Sequence, residues 1–384
     1  MQNFDFQNPT RILFGEGQIA QIAEAIPADA RVLLLYGGGS IKRNGVYDQT
    51  VKALTGHTFL EFGGVEPNPT LETLSKAIDL VKAEALDFVL AVGGGSVADG
   101  AKFVAAGARF EGDPWAIIAE KAPVTAALDI GVILTLPATG SESNGGSVVT
   151  RKATQQKLFF NSPLVYPKFA VLDPTTTYSL PPRQTANGVV DAFVHTMEQY
   201  LTYPADAPLQ DRFAEGILLT LIEEGPKVLT NPTDYTARAN VMWSATMALN
   251  GLIGRGVPQD WTTHMIGHEI TAAHGLDHAQ TLAIVLPAVM TRRIEQKGAK
   301  LLQYARRVWG IDTADEDTAR HEAIDRTRRF FESLGVPTRL SAYDIDASAI
   351  DALVGRLEAH GMVALSERGD ITPAISREIL ALAV

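Results

Sequence analysis

The segment Asp87-Phe88-Val89-Leu90-Ala91-Val92-Gly93-Gly94-Gly95-Ser96 decides the fold of this chain. Its apolar run, residues 88–92, is typical of a strand that is buried on both faces of a parallel sheet. The glycines predict a tight turn at the carboxyl end of that strand, and Ser96 is suited to the start of a helix. A strand, a glycine turn and a helix in this order form the repeating unit of doubly wound α/β sheets.

Similar units surround this segment in the first half of the chain. The sequence predicts a helix over residues 70–85 and further strands at 31–36, 59–62 and 131–136. From about Pro181 the pattern changes to long amphipathic segments without strands, at 183–201, 209–224 and 235–252. We therefore predict an α/β domain, residues 1–180, with a doubly wound, mostly parallel sheet, then an all-α domain, residues 181–384, with the active-site cleft at their join.

The composition excludes several classes of protein. With 384 residues, 46% of them hydrophobic and 20% charged, the chain can bury a large core and is not disordered. The net charge of −11 opposes binding to nucleic acid or to an anionic membrane. The N-terminus does not resemble a secretory signal and no apolar run is long enough to cross a bilayer, so we expect a cytoplasmic protein. Because cysteine is absent, any metal ion must be held by nitrogen and oxygen.

Two predicted strands end in the same tetrad, Gly37-Gly38-Gly39-Ser40 and Gly93-Gly94-Gly95-Ser96. Glycines allow backbone N–H groups to approach a phosphate, and the helix N-terminus that follows supplies partial positive charge. Either tetrad alone is equally well explained as a tight turn, but the repetition favours binding of a dinucleotide. Neither tetrad fits the Gly-x-Gly-x-x-Gly fingerprint or a P-loop.

A third strand end, Thr135 to Glu142, offers hydroxyl groups that suit a pyrophosphate or a ribose, although local turn and capping bonds explain them as well. After the first tetrad no acidic residue stands where a carboxylate would bind the adenosine 2′-hydroxyl. This favours NADP over NAD. Lys42 and Arg43, which follow, are also consistent with ordinary solvated helix residues.

The second half of the chain carries a pattern typical of a metal site. Asp191 and His195 are four residues apart in an apolar helical segment, and His264 and His268 repeat that spacing. Of the eight histidines, four lie between His264 and His278. Imidazole and carboxylate ligands suit Fe²⁺ or Zn²⁺ equally well. Gly275 is expected to end the helix before His278, and the missing His-Glu-x-x-His motif argues against a zinc protease.

Taken together, these residues resemble the iron-containing (group III) alcohol dehydrogenases over essentially the full chain, and most of all the branch of bacterial NADPH-dependent aldehyde reductases and butanol dehydrogenases. The architecture that this implies is the one shared with dehydroquinate synthase. The resemblance rests on residues 3–15, Pro67-Asn68-Pro69, Gly93 to Ser96 with Asp99 and Lys102, Thr139 to Glu142, and the set Asp191, His195, His264 and His278.

Membership would assign roles to individual residues. The metal ligands would be Asp191, His195, His264 and His278. The cofactor site would be lined by Gly94, Gly95, Ser96, Asp99, Thr135, Thr139 and Lys157, with Asn68 and the turn Gly38, Gly39 and Ser40 near the adenosine ribose. The family's His-Gly-x-x-His-Gly signature here ends in Ala279 instead of glycine, which leaves His278 in place.

The implied function is metal-dependent hydride transfer between NADP(H) and small aldehydes or alcohols. His268, one helical turn from His264, is our candidate for relaying the proton to the product. Apolar residues are candidates for the substrate side or for ordinary core packing: Trp115, Val148, Leu252, Val257 and Trp261. The strand around Thr10 to Phe14 is expected to pair with its copy in a homodimer.

Two alternatives remain open at this point. One is a metal- and NAD-dependent lyase of the dehydroquinate synthase type, which would need several cations to hold a polyanionic substrate. The segment from Gly251 to His278 contains a single lysine or arginine, Arg255, so the sequence disfavours this lyase function. The other is a non-catalytic regulator that binds a metal or a nucleotide. Turnover of simple aldehydes would distinguish an enzyme from such a regulator.

Overall fold

In the computed structural model, which describes residues 1–384, six parallel strands form one sheet in the order β1-β8-β5-β4-β2-β3. The strands of this sheet are β1 (Arg11–Phe14), β2 (Arg31–Tyr36), β3 (Thr58–Phe62), β4 (Phe88–Gly94), β5 (Asp129–Leu136) and β8 (Phe169–Leu172). The central strand β4 is buried over residues 88–92, as the apolar run predicted. The helices of this half are α1 (Ile22–Ala25), α2 (Val46–Ala53), α3 (Leu71–Ala83), α4 (Gly95–Arg109) and α5 (Ala116–Ala119).

The order of the strands places a topological switch point between β2 and β4. From β2 the chain proceeds outward to β3 on one side, and from β4 it proceeds to β5 and then β8 on the other side. Crevices at such points, outside the carboxyl ends of the strands, are where open α/β sheets bind ligands. The first Gly-Gly-Gly-Ser tetrad follows β2, and the second spans the end of β4 and the start of α4, so the two tetrads flank this point.

The sequence did not indicate a second, small sheet. Strands β6 (Gly146–Arg151) and β7 (Gln156–Asn161) form an antiparallel hairpin. Backbone bonds tie it to its surroundings, because the amide of Thr150 donates to the carbonyl of Pro69 at 2.8 Å. Few residues of this hairpin are buried, and its sequence accordingly shows no long apolar run of the kind found in the strands of the main sheet.

After Leu180 the regular elements are all helices, and the only β pairing is an isolated bridge between Leu365 and Ile371. None of these helices, nor any other in the chain, has the length and apolar character needed to pass through a bilayer. Gly275, with φ of +74°, ends α9 as expected. The helices are α6 (Pro182–Tyr200), α7 (Pro208–Thr230), α8 (Tyr235–Leu249), α9 (Thr262–His274), α10 (His278–Arg292), α11 (Gly298–Arg307), α12 (Glu316–Ser333), α13 (Ile350–Ala359) and α14 (Pro373–Leu382).

The chain divides into two compact units whose boundaries differ in detail from residues 1–180 and 181–384. The sheet unit comprises residues 7–180 and 232–246, and the helical unit comprises residues 1–6, 181–231 and 247–384. Most of α8 therefore belongs to the sheet unit. Three contacts explain this: Met242 packs in the core of that unit, Trp243 meets Phe14 edge to face, and Thr246 donates a 2.6 Å hydrogen bond to the buried Glu142.

Candidate functional site

Four side chains converge inside the helical unit: Asp191, His195, His264 and His278, with their nearest ligand atoms all within 4.8 Å of one another. Nε2 of His195 lies 3.0 Å from Nε2 of His264, and Oδ1 of Asp191 lies 3.4 Å from Nδ1 of His195 and 3.8 Å from Nε2 of His278. Ligand atoms about 2.1 Å from one zinc or iron ion are separated by similar distances. The donor set is one carboxylate and three imidazoles.

Local structure brings these residues together. Asp191 and His195 share one face of α6 through their spacing of four, and His264 lies in the first turn of α9. Gly275 and the two residues after it suffice to turn the chain, so that His278 is the first residue of α10. Asp277 caps α10 in a capping box and accepts a 2.9 Å hydrogen bond from Asn187 of α6.

The ionisation of His195 fits a metal ligand. Burial, and then the electrostatic influence of the neighbouring His264 ring, lower its pKa well below the usual value. The ring is therefore neutral at neutral pH, as a ligand must be. Its Nδ1 is buried and makes no hydrogen bond. One proton can serve only one pair of the facing nitrogens, whereas one divalent cation would satisfy the whole set, so these residues fit a metal ion.

A residue that the sequence interpretation missed, Glu198, lies directly behind His264. Its carboxylate contacts Nδ1 of His264 and accepts backbone bonds from Thr263 at 2.7 Å and from His264 at 3.2 Å. Burial, and then the charge of Asp260, raise the pKa of Glu198, and the N–H donors oppose that rise. Glu198 stands three residues after His195 and seven after Asp191, so it lies on the same face of α6 as these two candidate ligands. This spacing is the sequence signal that could have identified Glu198.

His268, the proposed proton relay, is buried beside the ligand set. Its ring centroid lies 6.1 Å from that of His264 and 5.3 Å from that of His278. The i, i+4 spacing on α9 explains the first contact. The structure therefore places His268 next to the ligands without making it a member of the closest cluster.

In the sheet unit, the proposed cofactor residues gather at the switch point. Gly38 and Gly39 follow β2, and Ser40 begins a 3₁₀ turn directly after Gly39, whose φ is +83°. Gly94, Gly95 and Ser96 join β4 to α4. A Cβ atom on Gly95 would lie 2.3 Å from Oγ1 of Thr139, so glycine is needed for the close approach of these two loops. Thr135 lies near the end of β5, one strand further along.

Other proposed cofactor residues form hydrogen-bonded pairs. The amide of Asn68, a residue with φ of +57°, donates to Oγ of Ser96 at 3.3 Å. Lys157 of the hairpin donates to Oδ1 of Asn68 at 2.9 Å. Asp99 accepts from Oγ of Ser141 at 2.5 Å and from the amide of Val148 at 2.9 Å. The hairpin that the sequence did not indicate thus positions two of the predicted residues.

Beneath Asp99 lies the fully buried Lys102. Its ammonium donates to Ser141 at 2.8 Å, to Asn144 at 2.9 Å and to the carbonyl of Gly146 at 2.6 Å. Burial lowers the pKa of Lys102 to about 8, and the nearby carboxylates oppose that change. Burial also raises the pKa of Asp99. All three donors of the lysine are used, which makes it a structural centre for the loop after β5 and the start of the hairpin.

Glu61 of β3, an acidic side chain close to Tyr36 and Lys42 on either side of the first tetrad, is engaged by other side chains. It accepts from Tyr36 at 3.0 Å and from Lys42 at 2.9 Å, and it contacts the hydroxyl of Tyr47. Lys42 lies over the rings of Tyr36 and Tyr47. Burial alone would raise the pKa of Glu61, but the bonds from Tyr47, Lys42 and Tyr36 outweigh it and lower that pKa.

The residues suggested for the substrate side differ in their environment. Trp261 lies beside the ligand set, with its ring centroid 5.2 Å from that of His264. Leu252 and Val257 of the helical unit and Val148 of the hairpin are partly exposed. Trp115 is buried within the apolar core of the sheet unit, so core packing explains it.

Comparison with known proteins adds to this geometry. Residues 9–174 match the family model for iron-containing alcohol dehydrogenase, and residues 185–366 match the C-terminal model of the Fe-containing alcohol dehydrogenase family. The NADPH-dependent aldehyde reductase YqhD of Escherichia coli (strain K12) is 61% identical over 382 residues, covering 99% of each chain.

Solved structures agree with this relationship. The crystal structure of YqhD from E. coli K-12 matches with a TM-score of 0.99 at 60% identity, covering 100% of this chain and 99% of that one. NADH-dependent butanol dehydrogenase A from Thermotoga maritima matches with a TM-score of 0.96 at 38% identity, covering 100% and 99%. The predicted fold class, a parallel α/β unit followed by a helical region, is confirmed. The chain belongs to the iron-containing alcohol dehydrogenase family.

Proposed function

We propose that this protein reduces small aldehydes to alcohols with NADPH, and catalyses the reverse oxidation when cofactor ratios favour it. The observation that carries the proposal is the convergence of Asp191, His195, His264 and His278 within 4.8 Å. Support comes from the 61% identity to a relative named as an NADPH-dependent aldehyde reductase. The gathering of the glycine loops at a topological switch point adds the place for a dinucleotide.

The roles of individual residues follow from their positions. Asp191, His195, His264 and His278 would hold Fe²⁺ or Zn²⁺. When bound, the ion supplies a Lewis acid at the aldehyde carbonyl and the nicotinamide supplies the hydride. His268, with its ring 5.3 Å from that of His278, holds the proton that the product oxygen takes up. Trp261 covers the ligand cluster with an apolar surface and limits the access of water.

The cofactor is held by residues of the sheet unit. Gly38, Gly39 and Ser40 lie at the adenosine ribose, together with Asn68. The backbone of Gly94, Gly95 and Ser96 binds the pyrophosphate at the N-terminus of α4. Thr135, Thr139, Asp99 and Lys157 line the remaining length of the cofactor.

The preference for NADPH rests on charge. Glycine stands where a carboxylate would repel the 2′-phosphate, and the nearby Glu61 is paired with Lys42 at 2.9 Å. A phosphate placed there would find hydroxyl and ammonium donors and no unpaired carboxylate. NADH dependence in relatives such as the Thermotoga enzyme makes this the part of the proposal that a direct comparison of cofactors must decide.

The test is NADPH oxidation at neutral pH with butanal, run in parallel with NADH, on protein stripped by a chelator and restored with Zn²⁺ or Fe²⁺. Metal-dependent turnover that favours NADPH supports the proposal and identifies a competent ion. Absence of turnover with every combination of cofactor and metal contradicts it. Faster turnover with NADH would contradict only the cofactor preference.

We also propose that the enzyme is a cytoplasmic homodimer. Strand β1 pairs with β8 on one side only, so its other edge is available to a second copy of the chain. Phe14 at the end of β1 and Trp243 of α8 are large apolar side chains that are exposed beside that edge. Sedimentation that gives only monomer would contradict the dimer.

A further inference from the structure

The N-terminus of α9 has no capping side chain of its own. The side chain of Trp261, at the capping position, accepts no hydrogen bond from the helix, although the first N–H groups of a helix need partners. Glu198 of α6 supplies two of these partners, because its Oε1 accepts from the amides of Thr263 and His264. The amide of Thr262 bonds to Asp260. The carboxylate of Glu198 is 4% exposed and so cannot exchange its bonds for water at low cost.

The second oxygen of Glu198 performs a different task, since Oε2 contacts Nδ1 of His264. A neutral imidazole carries one N–H. The carboxylate of Glu198, whose other partners are donors of Thr263 and the amide of His264, accepts a hydrogen bond from that N–H when it is on Nδ1. The lone pair is then on Nε2, and Nε2 of His264 is the atom that faces His195 at 3.0 Å. A single carboxylate thus fixes both the helix end and the tautomer of a ligand.

A buried ion-pair cluster holds Glu198 and the start of α9 together. The amide of Asp260 donates to the carbonyl of Glu198 at 2.8 Å, and Oδ1 of Asp260 accepts from the amide of Thr262 at 2.9 Å. Its Oδ2 lies 2.8 Å from Nζ of Lys297. That ammonium also donates to the carbonyl of Leu201 at 2.7 Å and to Glu367 at 3.2 Å.

The cluster joins segments that are distant in sequence. Lys297, 4% exposed, uses its three donors on the end of α6, on the segment before α9 and on Glu367 near the end of the chain. Breaking a buried pair of this kind is costly because it leaves a buried charge without a partner. The position of Glu198 is therefore strongly restrained, and so is the ring that it contacts.

We propose that Glu198 is the positioning residue of the metal centre: it holds His264 as the Nδ1–H tautomer with Nε2 directed at the ion, while the Asp260, Lys297 and Glu367 cluster keeps it in place. This inference rests on the proposed metal site. Glu198 does not touch the ion, substrate or cofactor, and it acts through His264. Replacing a partner of this kind lowers metal affinity by about 10- to 100-fold.

The variant Glu198→Gln tests the proposal with little change of volume. An amide has one acceptor oxygen and one donor nitrogen, so it cannot satisfy both the backbone N–H groups and Nδ1–H of His264. We expect Zn²⁺ affinity, measured by competition with a colorimetric chelator, to fall about 10- to 100-fold. In protein loaded with Co²⁺, the visible absorption bands should shift because the ligand field changes.

Glu215→Gln is the matched control. Glu215 of α7 is also 4% exposed and bonded, to Tyr200 at 3.0 Å, but it contacts none of the four ligands. This variant should lose thermal stability while its Zn²⁺ affinity and Co²⁺ spectrum stay as in the parent protein. A Glu198→Gln variant with parental affinity and spectrum would overturn the proposal. A parent protein that binds neither ion would instead overturn the metal site itself, and this inference with it.

If Glu198→Gln does not fold, NMR of the parent protein tests the proposal instead. In Zn²⁺-loaded protein labelled with ¹⁵N-histidine, we expect a metal-bound imidazole that ligates through Nε2 and carries a slowly exchanging, hydrogen-bonded proton on Nδ1. Detection of that proton supports the assignment. Its absence from every ligand that uses Nε2 overturns it.

Discussion

The candidate cofactor site of the sheet unit and the candidate metal site of the helical unit are built by different physical means. In the sheet unit, the glycine segments at the ends of β2 and β4 offer backbone N–H groups. Glycine matters there because a side chain would block close approach, as at Gly95. In the helical unit, the backbone is regular helix, and four side chains with a buried carboxylate behind them form the site. Removal of a side chain should therefore damage the helical site, whereas addition of one should damage the sheet site.

The largest effect is expected from His264→Ala. Loss of a ligand should abolish stoichiometric metal binding and lower kcat by about 10³-fold, because the Lewis acid contributes several kcal/mol in the transition state. Metal content by elemental analysis and steady-state kinetics measure the two effects. His321→Ala, at an exposed position on α12, is the control and should change neither. Full metal occupancy in His264→Ala would refute the ligand assignment.

Addition of a side chain by Gly95→Ala tests the candidate cofactor site of the sheet unit. The added methyl would lie 2.3 Å from Oγ1 of Thr139, so one of the two loops must move. Overpacking of this kind costs about 1–3 kcal/mol. If that cost appears in cofactor binding, the KM for NADPH should rise roughly 10- to 100-fold. Metal affinity should not change.

Gly216→Ala on α7 provides the control for that substitution. A Cβ at Gly216 meets nothing within 4 Å, so the variant should retain its KM and gain about 0.5–1 kcal/mol of stability from helix propensity. An unchanged KM for NADPH in Gly95→Ala would mean that the close approach of the loops does not matter for the cofactor.

This contrast also explains how far the sequence could be interpreted. Apolar runs such as residues 88–92 predicted the strands because burial on both faces requires unbroken hydrophobicity. The hairpin β6 and β7 was missed because most of its side chains are only partly buried, so its strands carry no unbroken apolar run. Strand β8, four buried residues only, carries too little pattern to be recognised alone.

Part of the candidate ligand set could be predicted from the sequence because spacing on a helix fixes which side chains are neighbours. Asp191 and His195 followed from the helical repeat, whereas their convergence with His264 and His278 was implied by family resemblance. Partners from distant segments could not be predicted by spacing. Lys297 is 37 residues from Asp260 in the numbering of the chain, and only the folded structure brings their charges to 2.8 Å.

An intermediate effect concerns the pH dependence of stability. Burial lowers the pKa of Lys102 to about 8 from 10.5, so between these pH values the unfolded chain binds more protons than the folded one. Stability attributable to Lys102 therefore rises with pH across this window, by up to roughly 3 kcal/mol. Denaturant unfolding at several pH values should give a steeper increase for the parent than for Lys102→Met.

Lys76→Met is the control for this comparison, because Lys76 is exposed on α3 and the substitution should leave the pH dependence as in the parent. Parallel pH profiles for the parent and Lys102→Met would show that the buried ammonium does not titrate in this range.

The smallest effect is expected from Lys42→Ala. The side chain is exposed and paired with Glu61, and removing it would leave that carboxylate near the first glycine loop without its cation. We expect the KM for NADPH to rise about threefold and that for NADH to change less, a size typical of exposed charge pairs. The double variant Lys42→Ala/Glu61→Gln should recover much of the loss. Equal effects on both cofactors would argue against a contribution to cofactor choice.

The assignment of residues 232–246 to the sheet unit has a consequence for how this molecule can be divided. The chain passes between its units at residues 6/7, 180/181, 231/232 and 246/247. A fragment ending at Leu180 would leave Glu142 without Thr246 and Phe14 without Trp243. The two halves are therefore not interchangeable modules: a chimaera with a relative must exchange the sheet half and residues 232–246 together, or the buried carboxylate loses its partner.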